Sequence, residues 1–378
     1  MHTGNNNLRW DPYFLKHGAE AIEFSKDYFK GDRKLLFILG NGFDIRMCNG
    51  VKKISGVSSC KKLDCMVLDI KEGANSPSRK YISEVEKNRN ELQSIVKLKG
   101  GSVNEKAIEM WSTDKRRIGS TKASTVFLNI SEFSEYTDII VDVSALPRAI
   151  YFSIIGNILS ILDHTKTDTK ATINLHILAS ENVSIDSSIS SEGLDERASY
   201  MHGYRSKIES ESEQHLPKIW IPILGSDQLE KLSLIYDLVK PDEICPMLPF
   251  PSTQSRRGID LIIEYHKLLF DNWRIEKSNI LYSNEQNPFE TYRRICRTLR
   301  RYDNSLKSLG GCRGIISANS SKLLSIGGFL AAYEMRSAMT IGVAHVESLG
   351  YQYIKSKQIL DEDPELFLLW IFGEPYHD

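Results

Sequence analysis

A chain of 378 residues is long enough for one large α/β domain with insertions or for two ordinary domains, and either buries a substantial core. Lys and Arg total 48 against 49 Asp and Glu, a formal net charge of -1, so no overall electrostatic pull toward nucleic acid or an anionic membrane operates and only a local basic patch could supply one. The N-terminal MHTGNNNLRWDPYF has no basic stretch followed by an apolar one, and no apolar run approaches about 18 residues, which disfavours secretion and membrane spanning and leads us to expect a cytoplasmic protein.

The first element is KLLFILGNGFDIR, Lys34 to Arg46, an apolar run of strand type that stops at glycine, asparagine, glycine, aromatic, aspartate. Such a run predicts a buried strand feeding a glycine-bent loop. Gly40 and Gly42 carry no Cβ, so backbone N–H groups can approach a ligand there, and positive φ is open to both. Asn41, Asp44 and Arg46 stand at the mouth. There is no third glycine of a G-x-G-x-x-G and no Gly-Lys-Ser/Thr, so neither the dinucleotide nor the P-loop fingerprint is complete. An ordinary tight turn is the competing reading.

Residues 47–124 are polar and irregular, with one helical candidate from Ser78 to Val96, and read as an inserted polar and helical region. From Ser131 the rhythm changes. YTDIIVDVSALP predicts a strand and RAIYFSIIGNILSIL its helix; INLHILASE (173 to 181) is a strand, followed by a Ser- and charge-rich loop through about Glu213. KIWIPILGS with DQLEKLSLIYDLV, EICPMLPFPS with RGIDLIIEYHKLLFDNW, SNILYSNEQNPF with TYRRICRTLRRYD, and RGIISANS with SKLLSIGGFLAAYEM continue the alternation, and TIGVAHVE closes it. Strand and helix pairs in series predict an α/β fold with a doubly wound, mainly parallel, Rossmann-like sheet, because parallel neighbours need crossover helices. Residues 1–46 then give the first strand and ligand loop, 47–130 an insertion or small subdomain, and 131–378 the remainder of one Rossmann-like domain.

In an open parallel sheet ligands collect at the strand carboxyl ends. DVSALPR offers Asp142, Ser144 and Arg148 where a strand gives way to a helix, a grouping that fits a ribose and a phosphate or, more plainly, an N-cap with a surface ion pair. PFPSTQSRRGID places Arg256 and Arg257 at a helix start, where the macrodipole disfavours cations, so a compensating carboxylate such as Asp260 or a bound anion is expected. Glu285 follows the next strand. SANSSKLLSIGG joins strand to helix through Ser320, Ser321 and Lys322, which suit a phosphate or a simple serine cap, and Gly327 and Gly328 allow close helix packing.

No G-x-S-x-G elbow or HExxH helix occurs, and His176 and His345 lie in apolar strands as core residues. Six scattered cysteines without a CxxC pair read as reduced thiols rather than a zinc site, so no metal centre is assigned. Asp44, Asp142, Glu181 and Glu285 would bind a divalent metal only if they converge. The helix RRICRTLRR carries Arg293, Arg294, Arg297, Arg300 and Arg301, spread over much of its exposed surface, a candidate track for nucleic-acid phosphates.

LFILGNGFDI resembles the opening of AbiH-type bacterial phage-abortive-infection proteins, which begin with a strand and a G-N-G-F-D loop. The resemblance covers Leu36 to about Gly50 and touches Gly40, Asn41, Gly42, Phe43 and Asp44. It implies a setting in phage defence and transfers no activity. The function expected from these readings together is nucleotide-type ligand binding by a defence sensor or effector, with cleavage of a nucleotide or its N-glycosidic bond by Asp44 or Asp142 as the enzymatic version. The alternatives are a non-catalytic subunit of a multi-protein defence complex and a nucleic-acid-binding module using the Arg-rich helix.

Overall fold

The computed structural model describes residues 8–165, 173–204, 208–210, 215–354 and 363–376. The chain divides into two compact units, one made of Pro12–Gly193 and Ser348–Asp378, the other of Met1–Asp11 and Leu194–Glu347.

In chain order the first unit has β1 (Phe14–His17), α1 (Gly18–Tyr28), β2 (Lys30–Gly40), α2 (Asn49–Val57), β3 (Ser59–Lys71), α3 (Ile82–Leu98), β4 (Val103–Glu109), α4 (Gly119–Ala123), β5 (Asp138–Asp142), α5 (Arg148–Thr165), β6 (Asn174–Glu181), α6 (Val183–Ser188) and β7 (Ile189–Leu194). The second unit carries β8 (Ser199–Tyr200), β9 (Lys218–Ile223), α7 (Leu229–Val239), β10 (Glu243–Ile244), β11 (Met247–Pro249), α8 (Arg257–Glu264), β12 (Leu281–Ser283), α9 (Pro288–Ser305), β13 (Arg313–Ala318), α10 (Lys322–Met335) and β14 (Ile341–His345). The chain then returns to the first unit with β15 (Ser348–Tyr353) and β16 (Glu365–Phe372).

The first sheet runs β1-β16-β6-β5-β2-β3-β4, with β6, β5, β2, β3 and β4 parallel and β16 and β1 antiparallel at one side. Taken by their order along the chain, the parallel strands stand third, second, first, fourth, fifth, the doubly wound order in which direction reverses beside the first strand. The second sheet repeats this order as β12-β11-β9-β13-β14, with β8 antiparallel at its edge. Helices separate the parallel strands because each crossover must span a face of its sheet, and strands covered on both faces read as unbroken apolar runs. Leu35 to Leu39 and Ile139 to Val141 are fully buried accordingly.

The predicted fold class therefore holds, and four expectations give way. One sheet from 131 to 378 becomes two, because β5 and β6 align beside β2 while β9 founds a new sheet. The supposed insertion at 47–130 supplies β3 and β4, two strands of the first sheet; Lys61, Lys62, Asp64, Asp69 and Lys71 interrupt the apolar letters of β3 and disguise it. TIGVAHVE forms β14 but does not close the chain, since ELFLLWIF follows as β16 with Leu366 to Phe372 buried. In the Ser- and charge-rich stretch, α6, β7 and β8 replace part of the expected loop, and residues 205–207 and 211–214 lie outside the described residues.

Gly327 and Gly328 do permit close packing: a Cβ at Gly327 would collide with Pro288 O and Thr291 of α9, and one at Gly328 would lie 2.7 Å from Ile223 of β9. His176 is fully buried among Tyr28, Phe29 and Trp370, and its Nε2 donates to Asp138 Oδ1 at 3.1 Å, as suits a core histidine.

Candidate functional site

Doubly wound order reverses direction where the first and fourth strands part, here at the carboxyl ends of β2 and β5, the place where ligands collect in such sheets. The loop after β2 contains Gly40, Asn41, Gly42, Asp44 and Arg46, and the loop after β5 contains Asp142, Ser144 and Arg148, so eight residues singled out from sequence flank one switch point.

The two glycines have different reasons to be glycine, and neither takes left-handed φ as the sequence reading allowed. A Cβ on Gly40 would sit 2.7 Å from Leu146 Cδ2 and 3.0 Å from Ala145 O, so the two loops touch at that point. A Cβ on Gly42 would have as its nearest neighbour Ala145 O at 3.9 Å, so the side-chain side of this residue is unfilled. Asn41 lies between them; its N–H bonds Leu68 O at 2.8 Å and its Nδ2 reaches Asp69 Oδ1 at 3.4 Å, while Asn41 Oδ1 is buried without a donor among the described residues.

Beyond Gly42 the loop is locked by ions. Arg46, only 2% exposed, donates from Nε to Asp44 Oδ1 (3.0 Å), from Nη2 to Asp44 Oδ2 (2.7 Å) and from Nη1 to Asp186 Oδ1 on α6 (2.6 Å). Burial works against the guanidinium's charge, and the carboxylates of Asp44 and Asp186 outweigh it and hold its pKa above the usual arginine value. Asn88 of α3 donates to Gly42 O at 2.9 Å and to Asp44 O at 3.1 Å, so a helix of the supposed insertion clamps the loop. Phe43 packs against Tyr81 and Tyr353 at ring distances of 4.4 and 5.0 Å, and Tyr353 OH donates to Phe43 O at 3.1 Å.

On the β5 side Ser144 joins strands instead of waiting for a ligand. Its Oγ donates to Asp142 Oδ1 at 2.5 Å and accepts from the Ser180 N–H at 2.8 Å, and its own N–H also reaches Asp142 Oδ1 at 2.9 Å. Asp142 is 1% exposed and lies under the start of α2, where a Cβ on Gly50 would collide with Asp142 Oδ2 and Leu178. Of the two expected catalytic carboxylates, Asp44 braces Arg46 and Asp142 ties Ser144. Arg148 opens α5.

The remaining expected contacts belong to the other unit. Arg256 and Arg257 follow β11 and Glu285 follows β12, while Ser320 lies between β13 and α10 and Lys322 opens α10, beside the second switch point. Arg257 Nη1 meets Glu285 Oε1 at 2.6 Å, and Arg256 meets Asp260 at 3.7 Å in the open, so each arginine has a carboxylate and the awkward charge at the start of α8 is answered internally. At the switch point Gly225 abuts Asn319 O with no room for a Cβ, Tyr265 OH donates to Gly225 O at 2.6 Å, and Ser321 caps α10 by accepting from Leu324 N–H at 3.4 Å. Ser320 and Lys322 thus stand at a helix start as expected.

The five arginines of α9 are sorted rather than spread. Arg293 faces Asp11 at 3.9 Å and Arg300 faces Glu334 at 3.7 Å, both partly buried. Arg294, Arg297 and Arg301 are exposed and, at 100° per residue, fall within an arc of about 60°. Arg294 has Glu290 at 3.7 Å, whereas Arg297 and Arg301 have no carboxylate within ion-pair reach among the described residues.

Glu285 lies in a different unit from Asp44, Asp142 and Glu181, and among the described residues no group of three or more His, Cys, Asp or Glu side chains could hold a metal ion. No helix among them is long and apolar enough to cross a membrane. Sequence reasoning missed Asp69, Asn88 and Asp186; of these only Asp69 carried a signal, since it ends the apolar run MVL of β3.

No protein family matches this chain, and no curated protein matches it. Among solved structures it is similar to a type III CRISPR defence DNA nuclease activated by cyclic oligoadenylate, at 9% identity and a TM-score of 0.42, over 79% of this chain and 64% of that one, so it spans less than two thirds of the nuclease's length. It is also similar to an uncharacterized protein from Mycobacterium Paratuberculosis, at 6% identity and a TM-score of 0.21, over 86% of this chain and 89% of that one. At these scores neither likeness bears on function.

Proposed function

We propose that the first unit binds a nucleotide-type ligand at the switch point between β2 and β5 and holds it without turnover, as a sensor. The observation that carries this reading is the unfilled side-chain space at Gly42, beside Asn41, at the carboxyl end of the first strand of a doubly wound sheet. Backbone N–H groups on such a turn recognise phosphate oxygens, and an ion-locked loop costs little entropy to order when a ligand arrives. A binding role is better supported than hydrolysis, because a general acid or base must reach the substrate and both Asp44 and Asp142 are engaged by neighbours. The setting in phage defence, alone or as a subunit of a complex, rests on the GNGFD loop. Titration calorimetry of the purified chain with NAD, ATP, the other ribonucleoside triphosphates and cyclic nucleotides tests the reading: heat from at least one, lost in Gly42→Ala, is expected, and silence throughout would refute it.

A second reading, contact with a nucleic-acid backbone, is favoured by the shared exposed face of Arg294, Arg297 and Arg301. Three phosphate contacts would give a log–log salt slope of about -3 on duplex DNA. Retention on an oligonucleotide column at low salt, absent in the triple glutamine variant, would support it, and absence of retention in the native chain would dispose of it.

A further inference from the structure

We infer that Asp69 and Asn41 form a ribose seat in the site proposed above, so that its ligand is a ribonucleotide with a free 2′-hydroxyl. This rests on the nucleotide reading of that site and adds the sugar it selects.

Gly40 of β2 pairs with Leu68 of β3, so Asp69, the next residue of β3, lies level with Asn41. In a doubly wound sheet the loop after the first strand takes the phosphates, and the end of the second strand lies where the sugar falls, a carboxylate there accepting from ribose hydroxyls. Asp69 occupies that end. Its side chain is 17% exposed, open enough for a hydroxyl to reach. Burial opposes its charge, but hydrogen bonds from Lys71 and Asn41 and one with the Glu105 side chain outweigh it and hold the carboxyl below the usual carboxylate range, so it is ionised at neutral pH.

The donor and acceptor count points the same way. A carboxylate has about four lone-pair positions, and Asp69 uses one oxygen for Asn41 Nδ2 and the other for Lys71, a pair whose lysine is 49% exposed and costs little to rearrange. Asn41 is oriented by that contact, because turning the amide over would set its oxygen against the carboxylate. This leaves Asn41 Oδ1 as a buried acceptor with no donor among the described residues, beside an ionised carboxylate. A group bringing two adjacent donors completes such a pair, and a ribose diol is that group. A 2′-deoxy sugar supplies one fewer, and a 2′-phosphate would set charge against charge.

The test is calorimetric titration of the full chain with ribonucleoside triphosphates, their 2′-deoxy counterparts, NAD and NADP. The expected result is a preference of about tenfold or more for ribo over deoxy, weaker binding of NADP than of NAD, and, in Asp69→Asn, loss of the ribo preference. Equal binding of ribo and deoxy ligands by the native chain would overturn the ribose seat and leave the nucleotide site standing; no binding of any probe would overturn both. The NAD and NADP comparison uses only the native chain, so it decides the matter even if Asp69→Asn fails to fold, with equal binding of the two counting against the seat.

Discussion

Exchanging Gly40 and Gly42 for alanine separates packing from ligand access within three residues of one loop. At Gly40 the new methyl must enter space held by Leu146, 3% exposed, and the backbone of Ala145, at 2.7 and 3.0 Å. Overpacking of this kind costs about 1–3 kcal/mol, and at roughly 2–4 °C per kcal/mol for a domain of this size the melting temperature should fall by about 2–12 °C. At Gly42 the methyl meets only Ala145 O at 3.9 Å and the backbone needs no left-handed φ, so the fold should be unharmed and even gain up to about 1 kcal/mol through the less free unfolded chain. The same methyl stands where a ligand would approach the backbone N–H groups. Losing one hydrogen bond to a charged phosphate is worth about 1.5–3 kcal/mol, or roughly ten- to a hundredfold in affinity. Urea melts and calorimetry on both variants check this; a Gly42→Ala variant that melts as low as Gly40→Ala, or that binds nucleotide as the native chain does, would refute the reasoning.

Removing one partner of the ion lock should reveal its burial: Asp44→Ala strands Arg46 and is expected to cost about 3 kcal/mol, whereas Asp186→Ala, at a side chain 41% exposed, should cost no more than about 1 kcal/mol by the same urea melts. Asp138 gives a pH prediction. Burial raises its pKa, but the hydrogen bonds from His176 and Thr137 and the charge of Arg33 outweigh burial and leave it lowered, so its contribution is full above the ordinary carboxylate value of about 4 and is lost as pH falls through the folded value. Melts across this acid range should therefore show a shallower loss of stability in Asp138→Asn than in the native chain, and superimposable acid limbs would count against the assignment. Replacing Arg294, Arg297 and Arg301 together by glutamine should leave stability within about 0.5 kcal/mol per substitution, because none is buried, and a larger loss would mean that the stripe packs against something.

How far the letters carried can be judged element by element. β2, β5 and β6 were legible because strands buried on both faces spell uninterrupted apolar runs, and the glycine loop after β2 announced its own importance. β3 was not, although it lies beside β2, because its charged residues find partners only in three dimensions: Asp64 accepts from Ser102 N–H at 2.7 Å and Tyr136 OH at 2.8 Å, contacts that no local pattern encodes. Missing β3 hid the division into two units and displaced Asp69 from consideration. The contacts of Asp44 and Asp142 were hidden from the sequence for a related reason. A carboxylate at a strand end looks the same in sequence whether it faces a ligand or a neighbour, and Asp186, which shares Arg46 with Asp44, is 140 residues away from that arginine. The paired arginines illustrate the converse, since the need for a compensating carboxylate at the start of α8 was physical and Asp260 and Glu285 fill it.

The most direct test of nucleotide binding without turnover is a thermal-shift titration with NAD, ATP and cyclic nucleotides, run beside product detection on the same samples, for the native chain and Asp44→Asn. The account predicts a shift with at least one nucleotide, no product from either protein, and a lower melting temperature for the variant. Product from the native chain that vanishes in Asp44→Asn at an unchanged melting temperature would contradict it and make Asp44 a catalytic residue.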